Sequence, residues 1–188
     1  MKKHLSALLA SALLLASSLP AAAATWTVDM AKSRLGFTGS QSGASFDGKF
    51  TRWDAQIDFD PANPAAGHAL VTIDMSSAVT GDAQKDEALP QSDWFDTKTF
   101  PKAVFEAKSF RSTGGDAYEA DGTLTIRGQG KKVVLPFTLD ITGNQAHAKG
   151  RLNLIRTDFG VGQGSWKTAD YVALEVAVTL DLTATRKN

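Results

Sequence analysis

The stretch Val172-Ala-Leu-Glu-Val-Ala-Val-Thr-Leu-Asp-Leu182 decides the fold class. Val172, Leu174, Val176, Val178, Leu180 and Leu182 put an aliphatic residue at every even position, while Glu175, Thr179, Asp181 and two alanines take the odd ones. Successive side chains of a strand point to opposite faces, so a period of two means one buried face and one wet face. The same pattern runs upstream. Leu152 and Leu154, Leu124 and Ile126, and Val71, Ile73 and Met75 keep one parity, as do Val133, Leu135, Phe137, Leu139 and Ile141. Trp53, Ala55, Ile57 and Phe59 alternate with Asp54, Gln56, Asp58 and Asp60. Helical spacing appears only once, briefly, so the chain is all-β. Gly114-Gly115-Asp116, Gly128-Gln129-Gly130 and Gly143-Asn144 read as hairpin turns between consecutive strands, which makes an antiparallel meander.

Strand length separates the architectures. Residues 46–59 and 171–182 read as single strands well beyond the usual five or six residues, spanning roughly 40 Å at about 3.3 Å per residue. Alternation alone also fits a sandwich. Long strands with one apolar face are better buried by a tall closed barrel of about eight strands, whose interior is filled by side chains or holds one small ligand.

Composition narrows the function. Twenty Lys and Arg balance twenty Asp and Glu, and no basic run occurs, so nothing is built to neutralise a nucleic-acid backbone. With no cysteine there is no disulfide, thiolate nucleophile or Cys-based metal site. Residues 1–24 read as a cleaved signal peptide: Lys2, Lys3 and His4 precede an apolar run too short to span a bilayer, and Ala22-Ala23-Ala24 supplies the small-residue site. Residues 25–188 then form one exported domain, and the periplasm suits an exported chain without cysteine.

Few groups carry chemistry. His68 and His147 stand in separate settings without a metal-ligand spacing, and no G-x-S-x-G elbow occurs, so neither a metal site nor a catalytic triad is expected. Gly160-Val-Gly-Gln-Gly164 lacks the Gly-Lys-Ser/Thr ending of a phosphate loop and reads as a flexible turn. Asp58 and Asp60 are explained by a solvated strand face. Arg156 extends the parity of Leu152 and Leu154 and is expected to point inward, where a guanidinium needs partners. Two readings stand: an ion pair with Asp158, Asp86 or another acid, or an anion clamp for a ligand head group. Residues 77–101 form a connection far longer than a hairpin loop, with Asp82 positioned to cap a helical turn through Leu89, Pro90 to stop it, and Trp94, Phe95 and Phe100 as apolar weight. This segment either covers one end of the barrel or is simply pinned by its aromatics.

Trp26-Thr-Val-Asp29, Ser33-Arg-Leu-Gly-Phe37 and Asp47-Gly-Lys-Phe50 resemble the opening of the YceI-like family of exported lipid-binding proteins. Ser77, Gly81-Asp82, Lys85-Asp86, Leu89, Asp93-Trp-Phe-Asp96 and Phe100-Pro-Lys-Ala-Val-Phe105-Glu resemble its acidic–aromatic segment and the strand that follows. Gly122-Thr-Leu-Thr-Ile-Arg-Gly128 and Arg156-Thr-Asp158-Phe159-Gly160 resemble its later strands, so the likeness extends over residues 25–185. Where the family often has Arg-Asp-x-His-Leu, this chain has Lys85-Asp86-Glu87-Ala88-Leu89, so no role of that histidine carries over. That change, with Trp94 in place of a phenylalanine, is similar to the branch associated with b-type cytochromes of the inner membrane.

The resemblance implies a single elongated, lipocalin-like antiparallel barrel whose interior holds an isoprenoid quinone or a polyprenyl phosphate. The expected lining is Phe37, Phe50, Trp53, Ile57, Val71, Ile73, Phe105, Leu124, Ile126, Phe137, Leu154, Val176 and Val178. Arg156, Asp86, Trp94 and Phe95 are expected at the mouth, near the head group. The implied function is that of a carrier rather than an enzyme, with no covalent cofactor and the isoprenoid lipid as partner. A quinone-presenting accessory of an inner-membrane cytochrome is the second reading, and an enzyme acting on a lipid the third. Transient membrane contact, and either a monomer or a homodimer, are compatible with all three.

Overall fold

The computed structural model describes residues 23–187, so all of the leader-type segment except Ala23 and Ala24 lies outside the described residues. The strands are β1 (Thr25–Val28), β2 (Arg34–Gln41), β3 (Ala44–Phe50), β4 (Trp53–Asp58), β5 (His68–Asp74), β6 (Ala78–Val79), β7 (Lys102–Gly114), β8 (Ala117–Ile126), β9 (Gln129–Thr142), β10 (Gln145–Ile155) and β11 (Glu175–Arg186). The one α-helix among the described residues is α1 (Ala83–Ala88). Eight antiparallel strands close a barrel in the order β1-β4-β5-β7-β8-β9-β10-β11, with β1 paired to both β4 and β11. Closure leaves no free edge in that ring, which settles the choice between barrel and sandwich.

Two of the eight staves are broken. β1 pairs with β11 at residues 184–186 and β2 pairs with it at residues 177–181, so together they make one interrupted strand. Asp29 makes the interruption by accepting from the amides of Ala31 and Lys32, and Ser33 Oγ fills the gap in the ladder by accepting from Thr183 N at 3.0 Å. The second break corrects the single strand expected over residues 46–59. The chain bends at Thr51 and Arg52, between β3 and β4, because buried Ser77 occupies the ladder there. Its carbonyl accepts from Thr51 N at 3.1 Å and its hydroxyl oxygen from Arg52 N at 3.0 Å. The last strand is also shifted from residues 171–182 to 175–186: Tyr171 is exposed, and Val172 belongs to the cap described below.

The hairpin turns lie where the glycines predict them. Arg127 and Gly128 join β8 to β9 with φ of 49° and 72°, the mirror-image turn whose twist matches the flanking strands. One end of the barrel is floored by aromatic side chains. Trp26 Nε1 donates to Phe59 O at 3.0 Å, the Arg186 guanidinium lies 5.1 Å from the Trp26 ring, and Phe59, Phe110, Tyr118 and Phe137 meet mostly edge-to-face above it.

The other end carries a cap of two segments, residues 80–101 and 160–173. In the first, Asp82 caps α1 by accepting from the amides of Gln84 and Lys85, and the helix ends at Leu89 before Pro90. The cap is tied down by carbonyls. Arg127 Nη1 donates to Ser92 O at 2.7 Å and Trp94 O at 2.6 Å, while Gly162 N and Gln163 N donate to Asp93 O at 2.8 and 2.7 Å.

Candidate functional site

Inside the barrel lie two apolar cavities, each of about 120 Å³. Both far exceed the roughly 10–15 Å³ that holds one water, and their lining offers almost no polar partner, so they are sites for hydrocarbon rather than water. The lower cavity, above Trp26, is walled by Ile57, Val71, Phe105, Phe137 and the inward positions of β9 and β11. The upper one, under the cap, is walled by Phe37, Phe50, Ile73, Leu124, Ile126, Leu154, Val176 and Val178. Val176, Val178, Leu180 and Leu182 are only partly buried because they line these cavities. Trp53, expected inside, lines neither cavity; it packs against the cluster of Leu35, Ile73, Met75 and Ala103.

Trp94 and Phe95 reach the upper cavity from the cap, and Phe46, Leu89, Trp94 and Val172 are shared with an outer vestibule of about 280 Å³. This vestibule adjoins the interior and, unlike it, carries polar groups: Gln41, Gln84 and Lys85 are among its lining, with the Trp94 and Trp166 rings 5.5 Å apart. Lys85 Nζ is already paired, at 2.7 Å from Asp82 Oδ2.

Arg156 lies deeper, buried in the wall of the upper cavity with its guanidinium 5.5 Å from the Trp94 ring. No ion pair with Asp158, Asp86 or another acid forms among the described residues. Instead Nε donates to Ala173 O at 2.9 Å, Nη1 to Val161 O at 3.0 Å, and Nη2 to Thr168 O at 3.1 Å and Val172 O at 2.9 Å. Four of its five donors are thus spent on carbonyls of the second cap segment. Burial lowers its pKa from the ordinary value, and the carbonyl dipoles stabilise the charge in place of an acid.

Asp86 is also committed elsewhere. It lines none of the three spaces, and its carboxylate accepts from Thr80 N at 2.6 Å and Thr80 Oγ1 at 2.7 Å. These bonds from Thr80 hold its carboxyl below the usual aspartate value.

Several lining residues escape a reading of the sequence. The run 160–164, expected as a flexible turn, is part of the pinned cap: Val161 is buried in the upper cavity, and Gly162 has a φ of 86°. A Cβ at Gly162 would lie 1.8 Å from Arg156 Nη1, so the arginine occupies the space that a side chain would need. Met75, Phe159 and Val172 join the upper wall, and Phe59, Phe110 and the alanines 69, 120, 146 and 184 the lower one. Leu135, Leu139, Ile141, Leu180 and Leu182 were available from their parity, and they line the lower cavity.

A family model described as YceI-like domain matches residues 26–184. A UPF0312 protein of Pseudomonas savastanoi pv. phaseolicola is 31% identical over 187 residues, covering 94% of this chain and 96% of the relative. Among solved structures, Burkholderia cenocepacia BcnA superposes with a TM-score of 0.82 at 38% identity, over 85% of this chain and 100% of that one. A polyisoprenoid binding domain from Saccharophagus degradans, implicated in plant cell wall breakdown, superposes with a TM-score of 0.66 over 88% of this chain and 99% of that one; at 15% identity the likeness is one of fold.

Proposed function

The chain belongs to the YceI-like family, and on that premise we propose that it is a periplasmic carrier that holds a long isoprenoid lipid in its barrel. The observation that carries the proposal is the pair of apolar cavities stacked along the bore beneath a cap whose vestibule holds the polar groups. Each CH₂ removed from water contributes about 0.8 kcal/mol, so such an interior binds a hydrocarbon tail tightly without polar contacts. The solved neighbour described as a polyisoprenoid binding domain adds support at the level of fold. The leader-type residues 1–24 support export.

Charge at the mouth favours a neutral head group. Arg156 has four of its five donors on carbonyls and Lys85 is paired with Asp82, so among the described residues that line the upper cavity and the vestibule no cation is left without partners to hold a phosphate. The Trp94 and Trp166 rings, tilted 47° to one another, instead offer an aromatic lip against which a quinone ring can pack, with the Gln41 and Gln84 amides as hydrogen-bond donors to its oxygens. That lip also favours the second reading, presentation of a quinone to an inner-membrane cytochrome. No step of catalysis is assigned to the barrel.

Native mass spectrometry of the protein purified from its own host, followed by organic extraction, tests the proposal. One isoprenoid quinone at near-stoichiometric occupancy is the expected result; a polyprenyl phosphate would overturn the head-group reading. An extract without lipid would overturn the carrier function. In the same assay Val176→Asp should give a folded protein that carries no lipid, because a carboxylate in the apolar wall costs several kcal/mol unless neutralised.

A further inference from the structure

The two cavities share no lining residue, and the level between them is marked on opposite parts of the wall. Phe105 lines the lower cavity but packs against both the cluster around Phe59 and Phe110 and the one around Leu124 and Leu154. On β11 the change of compartment falls between Val178 and Leu180.

At this level the inward positions of β8 and β10 are Gly122 and Gly150. A Cβ on Gly122 would sit 2.7 Å from Cε2 of Phe105, and one on Gly150 would sit 3.2 Å from Cγ of Leu180. Each large side chain therefore lies partly over a bare stretch of neighbouring strand. Gly48 and Gly39 take up Phe37 and Phe46 in the same way around the upper cavity, so what marks this level is the change of compartment and the two bulky side chains that face it from β7 and β11.

Resting on the lipid-binding reading above, we infer that Phe105 and Leu180 form a waist that sets tail-length specificity. A tail that stops above them contacts only the upper cavity. A tail that passes between them adds the whole lower cavity, so affinity climbs in two steps with the number of isoprene units and is greatest for tails long enough to cross. Each CH₂ withdrawn from water is worth about fourfold in affinity, so loss of the lower cavity costs a long tail at least about tenfold.

The test is equilibrium binding of the delipidated mature protein to a series of benzoquinones that share one ring and differ only in isoprene number, read by quenching of tryptophan fluorescence. Wild-type affinity should rise, level off, and rise again. Phe105→Trp and Leu180→Phe, which narrow the waist from opposite walls, should each lower the ratio of long-tail to short-tail affinity by about tenfold or more. Phe105→Ala should remove the plateau. Near-UV circular dichroism establishes which variants are folded, and any one folded member of the three decides the matter. A ratio unchanged in a folded narrowing variant, or a plateau that persists in Phe105→Ala, overturns the waist. Failure of the wild type to bind any member of the series overturns the lipid reading itself.

Discussion

Arg156 holds the second cap segment by gathering four of its carbonyls. Removing the guanidinium leaves those oxygens without their donor in a buried setting. Arg156→Ala should therefore destabilise the protein by about 2–4 kcal/mol, measured as a lower urea midpoint. Arg156→Lys should recover little, because one ammonium cannot serve acceptors spread around a planar fork. Asp86 governs the other segment and titrates. Its carboxyl lies below the ordinary aspartate value in the folded protein, so its stabilisation is present above that ordinary value and lost as pH falls through the depressed one. Acidification below about pH 4 should lower the protection of the Thr80 and Gly81 amides relative to their intrinsic exchange rates at each pH, and Asp86→Asn should abolish that loss of protection.

Among the elements, the cap depends on a backbone contact between two distant loops, Gly162 and Gln163 onto Asp93 O. Gly162→Ala should weaken it twice over. The left-handed φ costs an alanine about 1–2 kcal/mol, and its methyl must displace Arg156. A lower melting temperature, together with faster lipid release, is the expected pair of observations. This dependence also explains what the sequence could and could not reveal. β11 was legible because its aliphatic residues alternate without a break, and α1 because Asp82 and Pro90 bracket it. Val161 and Phe159 were not legible as lining, since their burial is decided by contacts between remote segments; Val172 and Met75 carry the inward parity of the strands beside them but reach the cavity from the cap and from the turn after β5. Alanines 69, 120, 146 and 184 face inward on correct parity, but alanine fits either face of a strand. The bend at Thr51 was hidden for the same reason as the cap: Ser77, which makes it, lies on another part of the chain.

For the molecule as a whole, the seam between the two broken staves is uneven. β2 and β3 pair over seven residues on the cap side, but at the other end β1 contributes four residues and only Thr25 and Trp26 pair with β4, so that end of the seam is held less firmly than the long β7–β11 staves. Trp26 compensates by filling the end of the bore with its indole and bonding across to Phe59. Trp26→Ala should cost about 3–5 kcal/mol in urea unfolding, and exchange of the β1 and β4 amides should accelerate before that of β9 and β10.

The same tryptophan, covered by Arg186, gives the bore a consequence for traffic. A tube open at both ends would let a new occupant drive the old one through. This one is a cul-de-sac: a chain that goes in tail first comes out head first, and two cannot pass inside. On the carrier reading proposed above, exchange is then strictly sequential, and each round of delivery has to empty the molecule before it can be filled again.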